Sequence, residues 1–143
     1  MDIRQIATDF AVAPQITPDD VPRLVELGFR TVLNNRPDTE IDAVLDAAAM
    51  RRAAETAGLA YHYLPYVPGQ MSADLVEAFA ATLAAAQGPV LAYCRSGTRS
   101  SHLWAMAVAG QLPLDEILRA TAAAGYDLSA LVPALQARAT ALA

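Results

Sequence analysis

The chain has 143 residues, 55% of them hydrophobic and 17% charged; this suits one domain whose core buries roughly 70% of the unfolded surface and excludes a disordered or fibrous chain. One cysteine excludes a disulfide scaffold and no Cys/His spacing matches a zinc site, so a reduced, cytoplasmic setting is expected, with no metal and no organic cofactor. A net charge of −5, no apolar run of about 18 residues and no leader-like N-terminus argue against nucleic acid, a membrane and a targeting segment.

Taken in chain order, a weak strand at Ile3–Ile6 and a clearer one at Phe10–Ala13 come first. A helix opens on a Thr17 cap with Pro18 behind it and is expected to bury Val21, Leu24, Val25 and Leu27. Pro22 falls early enough to distort its first turn. The strand Thr31–Asn34, a helix over Ile41–Ala57 and the strand Ala60–Leu64 follow. Next come a Ser72-capped helix with Leu75, Val76, Phe79 and Leu83 on one face, and the strand Pro89–Tyr93. Three helices close the chain, Ser100–Ala109, Pro113–Ala124 and Ser129–Leu142. Such alternation predicts an α/β fold with a mostly parallel central sheet flanked by helices, all in one domain over residues 1–143. Gly69 and Gly97 fall in loops at the carboxyl ends of strands, where open α/β sheets place their ligands.

The strand Pro89–Tyr93 runs straight into Cys94-Arg95-Ser96-Gly97-Thr98-Arg99-Ser100, and a helix follows. Strand, glycine-containing loop and helix form an anion cradle: main-chain N–H groups converge, the helix start adds positive potential, and Gly97 permits a tight curl. That potential favours a thiolate, so Cys94 is the expected nucleophile. Arg99 can present a two-pronged fork to an oxyanion, Ser100 can donate to the thiolate, and Arg95 adds charge at the rim. Ser96 and Thr98 complete the binding loop. The bland alternative, a buried small hydrophobe between surface charges, fits an isolated cysteine better than one in this frame.

Cys-Arg-Ser-Gly-Thr-Arg-Ser resembles the active loop of rhodanese sulfurtransferases, which also runs from Cys to Arg with four residues between. The rest of the chain resembles the phosphatase-like domains of beta-lactamase hydrolase-like proteins. That resemblance rests on Ile3–Gln15, Gly28-Phe29-Arg30-Thr31-Val32, Asn34-Asn35-Arg36-Pro37, Val67-Pro68-Gly69-Gln70, the cysteine loop and Ala124-Gly125-Tyr126-Asp127. It implies a protein tyrosine or dual-specificity phosphatase-like fold, in a group often labelled sulfur transferases.

Phosphatase signatures place one residue more between Cys and Arg and put His before the cysteine; here Tyr93 stands there. The shorter loop tightens the ring of donors and suits a persulfide sulfur or small oxyanion. Phosphatases also take a general acid from a neighbouring loop, yet Leu64–Ser72 contains none. Asp38 is the candidate acid, with Glu40 beside it, while Asp74 sits in a first helical turn where it complements the dipole. Arg36 and Asn35 are read as substrate-binding groups on the same rim as Cys94, with a solvated turn as the alternative. Gln70 is read as the opposite wall, or as part of a plain turn. His62 and His102 are read as packing or surface residues rather than catalytic bases.

The first expectation is therefore a sulfurtransferase in which Cys94 carries sulfane sulfur as a persulfide from a small anionic donor to a thiol acceptor. The alternative is a cysteine-dependent phosphatase that hydrolyses phosphate esters through a phosphocysteine. A second alternative is a non-catalytic oxyanion-binding or redox-sensing module.

Overall fold

Alternation of side chains across each strand dictates a sheet that is covered on both faces, because successive residues must be buried in opposite directions. The computed structural model describes residues 1–143. Its strands are β1 (Arg4–Ala7), β2 (Phe10–Ala13), β3 (Thr31–Asn34), β4 (Ala60–Tyr63) and β5 (Val90–Tyr93), in the order β1-β2-β5-β3-β4. β1 pairs antiparallel with β2, and every other pairing is parallel. The helices are α1 (Val21–Glu26), α2 (Ala47–Thr56), α3 (Ala73–Ala85), α4 (Thr98–Val108), α5 (Leu114–Ala123) and α6 (Val132–Leu142). None is long and apolar enough to cross a membrane.

One face of the sheet sends Phe10, Val12, Leu33, Val90 and Ala92 into a cluster with Val76, Phe79, Leu103, Trp104, Ile117 and Leu135 from α3–α6. Phe10 stacks on Trp104 with ring centroids 6.0 Å apart and meets the edge of Phe79 at 6.3 Å. The other face sends Ala11, Ala13, Val32, Leu91 and Tyr93 against Val21, Leu24, Met50 and Ala54 of α1 and α2. On α4, Leu103 and Trp104 are buried, while Met106 and Val108 are half-buried.

Two expectations change. Val25 and Leu27 are exposed, at 42% and 47% of their maximal surface. The reason is that α1 has only six residues and turns only Val21 and Leu24 inward. The helix expected over Ile41–Ala57 starts at Ala47, after two 3-10 turns at Asp38–Glu40 and Ala43–Leu45. Asp46, held extended at ψ 174°, caps it by accepting from the Ala49 N–H at 2.9 Å.

Registers place Ala13 and Asn34 both level with Tyr93, and Tyr63 level with Asn34. The chain therefore leaves β2, β3, β4 and β5 at one edge, which gathers Gln15, Asn35, Arg36, Tyr66 and Cys94. Replacing Phe79, which has no exposed surface, by Ala is expected to cost about 3–5 kcal/mol in urea unfolding; a loss below about 1 kcal/mol would show that this aromatic cluster does not anchor the helical layer.

Candidate functional site

Cys94 follows the central buried strand and has no exposed surface of its own. Its N–H donates to the Ala13 carbonyl at 3.4 Å, and Gln15 N–H donates to the Arg95 carbonyl at 3.3 Å, so the loop is tied to the exit of β2. Gly97 takes φ +91° and ψ −11° at the cap position of α4. That left-handed setting turns its N–H onto Cys94 Sγ at 3.1 Å. The ladder of α4 begins with Ser101 N–H to the Gly97 carbonyl at 3.0 Å. The N–H groups of Arg99 and Ser100 thus precede the ladder and carry the positive end of the helix beside the sulfur. Arg95, Ser96 and Thr98 are exposed on the rim, and the Ser96 and Thr98 hydroxyls bond one another at 2.9 Å.

Arg99 is gripped end-on. Its Nη1 and Nη2 donate to Glu40 Oε2 and Oε1 at 2.9 and 2.7 Å, and Nη1 also donates to the Tyr66 carbonyl at 2.7 Å. Those bonds spend one edge of the guanidinium. The Nε–H and the second Nη2–H make no bond within the chain, which leaves the other edge as a fork for an oxyanion. Hydrogen bonds from Arg99 hold the Glu40 carboxyl below the usual carboxylate range, outweighing the opposite pull of its burial. Glu40 is therefore engaged as the anionic partner of Arg99.

Several expected binding residues have other work. Arg36 is folded inward: Nη2 donates to the Glu40 carbonyl at 3.0 Å, Nη1 to Gln15 Oε1 at 3.4 Å, and Nε lies 3.5 Å from Glu40 Oε1. It is a second cation on Glu40 rather than a third cation for substrate. Asn35 has no exposed surface; its amide donates to the Leu64 carbonyl at 2.9 Å and accepts from Ser100 Oγ at 2.8 Å. Both of its groups are spent on joining β3, β4 and α4, so it does not face substrate. The same bond turns the Ser100 hydroxyl proton away from the thiolate that it was expected to stabilise. Gln70 is exposed in a turn closed by its own N–H on the Val67 carbonyl at 2.9 Å.

Asp38 accepts at Oδ1 from the Ala47 N–H, 2.8 Å away, and its own N–H donates to Tyr63 Oη at 2.9 Å. It shares a 3-10 turn with Glu40, the partner of Arg99. Asp74 lies exposed in the first turn of α3. His62 is exposed on the edge strand β4, and burial pushes the His102 imidazole below its usual value and so keeps it neutral.

Two features escaped the sequence reading. Tyr126 donates from Oη to the Ser96 carbonyl at 3.0 Å and packs so closely on Gly97 that a Cβ there would lie 2.1 Å from Oη. Its signal was present in the Gly125-Tyr126 pair, which lacked an assigned role. Behind Cys94, Asn34 Nδ2 donates to Tyr61 Oη at 2.9 Å, and Tyr61 Oη lies 3.2 Å from Tyr93 Oη. Burial raises both phenols well above their ordinary value, so they stay protonated.

The model of the family "Beta-lactamase hydrolase-like protein, phosphatase-like domain" matches residues 2–111. A beta-lactamase hydrolase-like protein of Xylella fastidiosa is 32% identical over 141 residues, which make up 97% of this chain and 33% of that protein. The chain thus spans about a third of the length of the curated relatives it matches. A crystal structure of a candidate phosphatase from Neisseria meningitidis is 35% identical, with a TM-score of 0.84 over 96% of this chain and 99% of that one. TpbA of P. aeruginosa, solved in complex with pTyr, is 18% identical with a TM-score of 0.67 over 98% of this chain and 89% of that one, a likeness of fold. The architecture is the tyrosine and dual-specificity phosphatase-like α/β fold.

A carboxyl held low in the folded state adds stability above its unfolded value of about 4.3 and loses it as pH falls through the folded value. Glu40→Gln is therefore expected to destabilise by about 1–3 kcal/mol at pH 7, with the gap to wild type closing as urea unfolding is repeated below about pH 4. A gap independent of pH would contradict the ion pair.

Proposed function

The chain belongs to the phosphatase-like domain family of beta-lactamase hydrolase-like proteins, and on that premise we propose that it is a cysteine-dependent phosphatase acting on phosphate monoesters. It is an enzyme of the cysteine-dependent class that spans phosphatases and sulfurtransferases. The observation that carries the proposal is Cys94 Sγ held 3.1 Å from the Gly97 N–H at the head of α4, in a chain 35% identical to a solved candidate phosphatase. Sulfur transfer, the first expectation from the loop spacing, gains no support from these relatives.

In this reading the Cys94 thiolate attacks phosphorus as the ester P–O bond breaks, and the leaving oxygen takes a proton from Asp38. Water then attacks the phosphocysteine, the S–P bond breaks, Asp38 takes the proton, and inorganic phosphate leaves with the thiolate restored. The main-chain N–H groups of Arg99 and Ser100 and the free edge of Arg99 bind the phosphoryl oxygens, while the Gly97 N–H stays on Sγ. Arg95, exposed at the rim, attracts the anion. Sγ has no exposed surface, so the substrate gains access as the loop yields. TpbA, which shares the fold, binds pTyr, which supports a small anionic aryl phosphate as the substrate class. Asp38 is the assigned acid because Glu40 is spent on Arg99 while Asp38, exposed in the same turn, has no cation paired to it.

Steady-state hydrolysis of two aryl phosphates tests both assignments. Cys94→Ser is expected to abolish release of phosphate from p-nitrophenyl phosphate. Asp38→Asn is expected to slow phenyl phosphate, whose leaving group needs a proton, by about 10²-fold and p-nitrophenyl phosphate far less. Wild-type enzyme that hydrolyses neither ester would overturn the reaction class, and equal slowing of both would remove Asp38 as the acid.

A further inference from the structure

A single peptide unit carries both the bond that reaches the sulfur and a bond that anchors the loop from outside. Gly97 N–H donates to Cys94 Sγ at 3.1 Å, and the carbonyl of the same peptide, Ser96 C=O, accepts from Tyr126 Oη at 3.0 Å. The Ser96–Gly97 bond is trans, so its C=O and N–H point in opposite directions, and whatever holds the oxygen decides where the N–H points. Gly97 at φ +91° and ψ −11° has the values of the third residue of a type II turn. Turning that peptide over gives the type I setting, with φ about −90°, which glycine adopts as readily. The turned peptide directs the Ser96 carbonyl oxygen at the sulfur and replaces a donor to an anion with the negative end of a dipole.

Tyr126 is itself well fixed. It is 6% exposed, its N–H donates to the Thr121 carbonyl at 2.9 Å, and the Arg4 guanidinium lies over its ring at 5.3 Å. Arg4 Nη1 also donates to the Ala124 carbonyl at 3.1 Å, just ahead of the tyrosine. Gly97 and Tyr126 are matched, since a Cβ at Gly97 would stand 2.1 Å from Oη.

We propose that Tyr126 is a positioning residue whose hydroxyl, by holding the Ser96 carbonyl, keeps the Gly97 N–H on the Cys94 sulfur and the Ser96 carbonyl oxygen turned away from an incoming oxyanion. This rests on the reading of the Cys94 loop as the acting site, and on neither phosphoryl nor sulfur chemistry in particular.

Tyr126→Phe removes the hydroxyl and keeps the ring on which Arg4 rests. In amide NMR spectra of the full chain, the Gly97 proton is expected to exchange slowly and shift little with temperature in wild type, and to behave as a free amide in the variant. The affinity for inorganic tungstate is expected to fall about tenfold, while the melting temperature drops by only a few degrees (~2–4 °C). An unchanged Gly97 amide, or tungstate affinity equal to wild type, overturns the proposal. Wild type that turns over no phosphate ester would sink the phosphatase reading alone, because the Gly97 amide still decides this one.

Discussion

The carboxylate of Glu40 is the constraint from which the site is organised. It receives both Nη atoms of Arg99 and lies 3.5 Å from Arg36 Nε, so one anion holds two cations that would otherwise repel each other. The side chains of Arg99 and Glu40 are 13% and 25% exposed, which leaves their attraction far less screened than that of a surface pair. Gripping the end of Arg99 leaves its Nε–Nη2 edge aligned and unspent. An oxyanion therefore meets an arginine whose geometry is already set, which lowers the ordering cost of binding.

Around that pair the neutral polar groups act as braces. Asn35 ties β4 through the Leu64 carbonyl and α4 through the Ser100 hydroxyl, and leaving either group unpaired in the interior would cost about 1–3 kcal/mol. The Tyr66 carbonyl adds a third bond to Arg99. These contacts join the exits of β3, β4 and β5 into one rigid edge, and rigidity there is what a thiolate and a fork need if they are to face the same small anion. The loop, one residue shorter than a phosphatase signature, keeps the sulfur fully covered. That argues for a small reacting group.

Much of the fold was legible because the short β-branched or aromatic runs between the helices mark the strands: β2, β3 and β5 are buried at every position and form the three central strands. Cys94, Gly97 and Arg99 were legible because strand, loop and helix lie contiguously in sequence. Roles set by distant partners were not. Glu40 stands 59 positions from Arg99, and Asn35 stands 65 from Ser100, so no local pattern links them, and a carboxylate near a loop reads equally well as acid or as anchor. Only the pairing itself tells that Glu40 is ionised. Arg36 pairs locally, with Glu40 four residues on, but the pairing shows only once the chain between them folds into the 3-10 turn. The start of α2 was misplaced because Asp46 competes with the helix for main-chain N–H groups and so begins it rather than continuing it.

The most direct measurement is rapid-quench intact-protein mass spectrometry of reduced wild type and Cys94→Ser, each mixed with an aryl phosphate and, in parallel, with thiosulfate. The account predicts that wild type alone gains one phosphoryl group from the ester and loses it again on turnover. A gain of one sulfur from thiosulfate, with no phosphoryl adduct from the ester, would contradict it and return Cys94 to sulfur transfer.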